Sequence, residues 1–121
     1  MIKKFLALIC LVMLPAYLLA AGADFRLPKG MSFQKADSEL RNDGWHPRAM
    51  HTKIAYEFVG IENELRDHGV HGIEACAGDR QLCVIHYAKK NKCLRLITRG
   101  EFFEELKIET WSRECPSNDV L

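Results

Sequence analysis

The sequence predicts an α+β fold in which two N-terminal helices pack on one face of a four-stranded antiparallel meander sheet, stabilised by disulfides. Three observations predict it. Apolar residues recur at three- and four-residue spacing up to Leu65, the period falls to two from Gly72 onward, and four cysteines lie among or just after the period-two runs. The chain has 121 residues, 48% hydrophobic and 27% charged, which suits one globular domain and excludes a collagen, a disordered tail and a multi-domain enzyme. A formal net charge of +1 supplies none of the basic field that drives nucleic-acid binding, so no nucleic-acid partner is expected.

The first element is an export segment. Lys3 and Lys4 precede an uncharged apolar run from Phe5 to Ala21, which ends in Ala21-Gly22-Ala23, the small-x-small pattern that signal peptidase accepts. Pro15 interrupts the run, which disfavours a retained transmembrane anchor. Residues 1–23 are expected to be a signal peptide and 24–121 a single small α+β domain, periplasmic or secreted. Cys10 follows Ile9, where a lipidated cysteine needs Gly, Ala or Ser, so no stable membrane anchor is expected after cleavage. Cleavage removes two lysines and no acid, leaving a nearly neutral chain. A domain of this size buries only about two thirds of its unfolded surface, and in oxidising compartments such domains are commonly cross-linked.

Residues 24–31 carry Pro28 and Gly30 without periodicity and read as an extended lead-in. Ser32 stands where an N-cap belongs, followed by Phe33, Ala36, Asp37 and Leu40 on one stripe of a short amphipathic helix. Gly44 ends that helix and Pro47 prevents its resumption, with Trp45 packing back as core. Next, Ile54, Phe58, Ile61 and Leu65 share a helical stripe between a Thr52 cap and a Gly69 stop. A second helix over 53–67 is therefore expected, with Gly60 as its weak point at about 1 kcal/mol against Ala. Ile54, Tyr56 and Phe58 also alternate like a strand, over a shorter window.

Strands follow near 72–76, 82–88, 93–99 and 105–113, joined by short connections that make the sheet an antiparallel meander. A turn centred on Asn91 puts Tyr87 opposite Leu94 and Ile85 opposite Leu96. Ile85, Tyr87, Leu94, Leu96, Leu106 and Ile108 then share the helix-covered face. The opposite face collects Val84, His86, Arg95, Ile97, Lys107, Glu109 and Trp111, with Arg95 across from Glu109 as a cross-strand ion pair.

Cys76, Cys83, Cys93 and Cys115 allow three pairings. The register places Cys83 and Cys93 at opposite ends of their hairpin, about 15–20 Å apart at about 3.3 Å per residue, too far for a bridge. Cys76 and Cys83 flank the first turn, and Cys115 returns to the end where Cys93 begins its strand, so the expected bridges are Cys76–Cys83 and Cys93–Cys115. A thiolate zinc site would need C-x-x-C spacing, which is absent.

For function, the mixed apolar, aromatic and charged composition of Val84, His86, Arg95, Ile97, Glu109 and Trp111 is that of a protein contact surface. No activated nucleophile, carboxylate pair or phosphate loop accompanies it, so neither catalysis nor a cofactor is expected. The rival class is a small periplasmic metal-binding protein using His68 and His71, although Gly69 keeps the two off a common element. Residues 80–99 hold six basic residues and no acid, and 101–119 hold six acids, so the neighbouring strands neutralise each other. A basic hairpin tip binding anionic envelope polymer is the alternative.

The motifs Gly44-Trp45-x-Pro47, Glu74-x-Cys76, Cys83, Tyr87, Cys93-Leu94-Arg95-Leu96-x-Thr98-x-Gly100-Glu101 and Trp111 with Cys115-Pro116 resemble a group of small uncharacterised exported proteins of Gram-negative bacteria. The element order is similar to that of β-lactamase-inhibitor-protein-like domains and of the small outer-membrane-assembly lipoprotein domain. Both are binding modules, so the resemblance implies an envelope or secreted protein partner, bound without chemistry by an accessory factor or by an inhibitor or immunity protein.

Overall fold

A computed structural model describes residues 26–121; the export segment expected at 1–23 lies outside the described residues. The lead-in runs beside the last strand. Gly30 donates to Ile108 O and Ile108 to Met31 O, and Leu27 is buried. Helix α1, Phe33–Asn42, begins at Ser32, whose side chain makes no cap hydrogen bond; the Phe33 amide is satisfied by Leu106 O instead. Phe33, Ala36 and Leu40 of the predicted stripe are fully buried. Gly44, with φ +89°, supplies the left-handed residue that lets the Trp45 amide return to Leu40 O, and Trp45 is 2% exposed.

The second helix, α2, spans only Ile61–Asp67, and the expectation of a helix from 53 is corrected. Gly60 at φ +54° breaks the helical path. Upstream, the rings of His51, Tyr56 and Phe58 pack on one another, with the Arg66 guanidinium 4.1 Å from the Phe58 centroid. Ile54, the first residue of the supposed stripe, is 64% exposed. Residues 52–60 form neither the helix nor a strand, and Ile54 is exposed on either pattern.

Among the described residues the sheet has five strands rather than four: β1 (His46–Pro47), β2 (Ile73–Ala77), β3 (Leu82–Lys89), β4 (Lys92–Arg99) and β5 (Lys107–Ser112), all antiparallel. The predicted meander is β2 to β5. The extra strand is the two-residue β1, which joins the edge of β3 beside β2, pairing His46 with Ala88 and Pro47 with Tyr87. The central hairpin has the expected register, Tyr87 opposite Leu94 and Ile85 opposite Leu96. All six residues assigned to the covered face are buried, together with Thr98.

Both bridges form as expected. Cys76 faces Cys83 in the β2–β3 register, and Cys93 at the start of β4 is joined to Cys115 beyond β5. Such cross-links suit an oxidising, non-cytoplasmic location. Among the described residues no helix is long and apolar enough to cross a membrane.

Two carboxylates tie the layers together: half-buried Asp37, which lies on the predicted α1 stripe, and buried Glu62, which no sequence pattern marked. The Asp37 carboxylate on α1 accepts from the Tyr87 hydroxyl at 2.6 Å and from Arg41 Nε, while Arg41 Nη2 reaches Gly69 O. Burial, and then the Asp37 charge, push the Tyr87 hydroxyl's pKa well above its ordinary value. Glu62 on α2, 1% exposed, accepts from Tyr56 Oη (2.9 Å), Val59 N (3.0 Å) and Cys76 N (2.9 Å). It therefore fastens the 56–60 segment and β2 to the helix. Glu62→Gln removes the charge and turns one acceptor into a donor facing donors. It is expected to cost about 2 kcal/mol in urea unfolding, and Tyr56, raised to about 12 by burial and by Glu62, should titrate lower in ultraviolet absorbance.

Candidate functional site

The face of β3–β4–β5 turned away from α1 presents Val84, Arg95 and Ile97, each half-buried, as the register requires. The remaining members of the predicted surface do not join this strip, for two identifiable reasons.

The first is a bulge. Pairing runs Arg95–Ser112, Leu96–Trp111 and Ile97–Thr110, then Thr98–Ile108, so Glu109 is an extra residue. One inserted residue reverses the facing of everything after it. Trp111 therefore stands opposite Leu96 on the covered face, partly buried against the core, and not on the open face. The Arg113 guanidinium lies 5.1 Å from the Trp45 centroid and 5.6 Å from that of Trp111, so a cation–π contact closes this end of the core. The same bulge cancels the expected Arg95–Glu109 pair. Glu109 bonds Arg99 at 3.1 Å and Lys29 at 3.2 Å, and Arg99 first, then Lys29, lower its pKa. Arg95 has no ion pair or side-chain hydrogen bond among the described residues.

The second is coverage. His86 has the parity of the open face but is 1% exposed. Beside it, β3 leaves β2 for β1, and the residues flanking both short strands close over this edge. The tail beyond β5 is anchored to the open face by Cys93–Cys115 and ends against His51, whose amide donates to Val120 O.

At the opposite end of the sheet, an open cleft of about 600 Å³ is lined by both signs of charge, Lys29, Arg99 and Lys107 together with Glu101, Glu104, Glu105 and Glu109. Glu109 pairs there with Arg99 and Lys29, in line with the neutralisation between adjacent strands expected from their charges. At the hairpin tip, Lys89 pairs with Asp43 at 3.6 Å.

His68 and His71 do not form a ligand set. His68 Nδ1 donates to Glu64 O at 2.8 Å and its ring stacks on Phe103 at 3.7 Å, while the His71 carbonyl accepts from the Met50 amide. Among the described residues no group of three His, Cys, Asp or Glu side chains is placed to hold a metal ion. No family model, curated protein or solved structure matches the chain.

Proposed function

We propose that this chain is an exported, non-catalytic protein-binding domain of the bacterial envelope, periplasmic or secreted, acting as an accessory factor or as an inhibitor or immunity protein. The observation that carries this reading is the strip Val84–Arg95–Ile97, half-exposed on a sheet face that neither helix covers, with Arg95 making no ion pair among the described residues. Two aliphatic side chains around an arginine are typical of the anchoring centre of a protein interface. The two bridges add rigidity, which reduces the ordering cost of association. Export accounts for both the bridges and the apolar segment ahead of residue 24.

The test is site-specific photocrosslinking in cells expressing the full chain. Benzoylphenylalanine at Ile97 or Val84 is expected to give one discrete protein adduct, lost on adding Arg95→Glu, while the probe at Gln34 on the exposed side of α1 gives none. No adduct from Ile97 and Val84, or equal adducts from all three positions, would overturn the reading.

A further inference from the structure

His86 occupies the point where β3 changes neighbours. Its amide donates to Gly72 O (2.7 Å), just before β2, and its carbonyl accepts from Arg48 N (2.8 Å), just after β1. Its ring is 1% exposed, with Nε2 3.4 Å from Glu74 Oε1 and Nδ1 without a hydrogen-bond partner among the described residues. Three charged groups face the ring: Glu74 from the β2 bulge, Arg95 directly opposite on β4, and Arg48 from the exit of β1. His51 Nε2 donates to the Glu74 backbone carbonyl at 2.6 Å. Burial pushes the pKa of His86 below its ordinary value; Glu74 opposes that, while Arg95 and Arg48 reinforce it.

Residues 48–51 form a strap across this edge. Among the described residues four hydrogen bonds hold it: Arg48 N to His86 O, Met50 N to His71 O, His51 N to Val120 O, and His51 Nε2 to Glu74 O. Two of the four involve His86 or its partner Glu74, and one joins the strap to the C-terminal turn at Asn118–Val120. By contrast, β4 is fixed to β3 along eight paired residues.

We propose that His86 is an acid-sensitive latch: proton uptake by its ring releases the strap of residues 48–51, and with it the C-terminal turn, from the edge of the sheet. An imidazolium needs acceptors for both nitrogens, and among the described residues Nδ1 has none in the closed arrangement. Solvent reaches it most cheaply by displacing the strap, the least bonded element packed there. The Cys93–Cys115 bridge keeps the released tail tethered, so closure is recoverable when the pH rises. The sign follows from linkage. The open form binds the proton with the ordinary histidine affinity, near pH 6.5, and the closed form binds it less well. Closure is therefore complete above pH 6.5, and opening grows by up to about tenfold per pH unit below it, until the closed-form pKa is reached. The latch stands whether or not the open face docks a partner.

The test is hydrogen exchange of the disulfide-intact chain at pH 7.5 and pH 5.0, corrected for the intrinsic chemical rate. Opening of 48–51 and 118–121 is expected to rise by up to about thirtyfold between the two, while 94–98 in β4 stays protected. His86→Gln, which keeps a hydrogen bond to Glu74 but cannot titrate, should abolish the response; His51→Gln should retain it. An unchanged wild-type strap, or an equal response in His86→Gln, would overturn the latch. Should His86→Gln not fold, proton NMR of the wild-type rings decides. A His86 midpoint below 6.5 shared by the 48–51 amides supports the latch, and a His86 midpoint at or above 6.5, or strap amides that follow His51 instead, overturns it.

Discussion

Reduction of both disulfides is expected to bring the chain to the edge of unfolding at 25 °C. Cys76–Cys83 spans a sequence separation of 7 and Cys93–Cys115 one of 22. Loop-closure entropy assigns them about 2.5 and about 3.5 kcal/mol. Their sum is comparable with the whole stability of a domain of this size, about 5–15 kcal/mol. Taken singly, the longer loop dominates. Cys93→Ala with Cys115→Ala is expected to lower stability by about 3.5 kcal/mol and Tm by about 15–25 °C, against about 2.5 kcal/mol for Cys76→Ala with Cys83→Ala. Alanine is the better replacement because Cys83 is buried and a serine hydroxyl there would have to find a partner. Urea unfolding followed by tryptophan fluorescence gives both numbers. An unchanged midpoint after reduction, or the reverse order of the two pairs, contradicts the assignment of stability to these bridges.

The two pairs differ in what they constrain. Cys76–Cys83 joins residues already opposed in a ladder, so its loss leaves the β2–β3 pairing and the Glu62 bond to the Cys76 amide in place. Cys93–Cys115 fixes a segment that has no strand of its own. Without it the tail is held by the His51–Val120 bond and by Arg113 over its two indoles. Loss of the second bridge should therefore free residues 113–121 before the sheet itself melts.

The two bridges and the core face of the sheet were readable because both depend on registers that the period of two and the Asn91 turn determine almost alone. Leu94 and Leu96 had to face Tyr87 and Ile85, and once they did the cysteines had one workable pairing. What could not be read depended on single residues that change a period. The extra residue Glu109 carries no compositional mark, yet it sends Trp111 to the opposite face and moves an ion pair from Arg95 to Arg99. At Gly60 the signal was present, since a glycine inside a helical stripe was already its weakest point; the stacked rings of His51, Tyr56 and Phe58 outweighed the stripe. His86 was misplaced because the strand pattern assigns a face but not what lies over it. Its neighbours come from the exit of β1 at Arg48 and from the Gly72–Glu74 approach to β2, irregular pieces distant from it in sequence. Of the candidate site, Val84, Arg95 and Ile97 were legible, and they are the members that depend only on the β3–β4 register.

Gly72→Ala is the single substitution expected to be most damaging. A Cβ at this position would stand 2.1 Å from the carbonyl oxygen of His86, with Arg48 N and the His86 carbonyl carbon both at 3.2 Å. All three are backbone atoms, so no rotamer change can relieve the overlap; β2 or β3 must shift instead. A shift there breaks the His86 N to Gly72 O bond and the Arg48 N to His86 O bond together, because both meet at the missing side chain. Their loss leaves a buried amide and carbonyl unsatisfied at about 1–3 kcal/mol each, in addition to repacking around Ile73 and Ile85, which face each other one step along. A total of about 3–5 kcal/mol is expected, measured as the shift in urea midpoint at constant slope. Gly78, which has open space around it, provides the control: Gly78→Ala meets nothing within 4 Å and should change stability by less than about 0.5 kcal/mol. The location of the damage is as informative as its size. If the clash is at the strand junction, Gly72→Ala should raise hydrogen exchange at 48–51 and 72–74 more than in the β4–β5 ladder, and equal loss of protection in both places would mean that the close approach at Gly72 is not what holds this edge together.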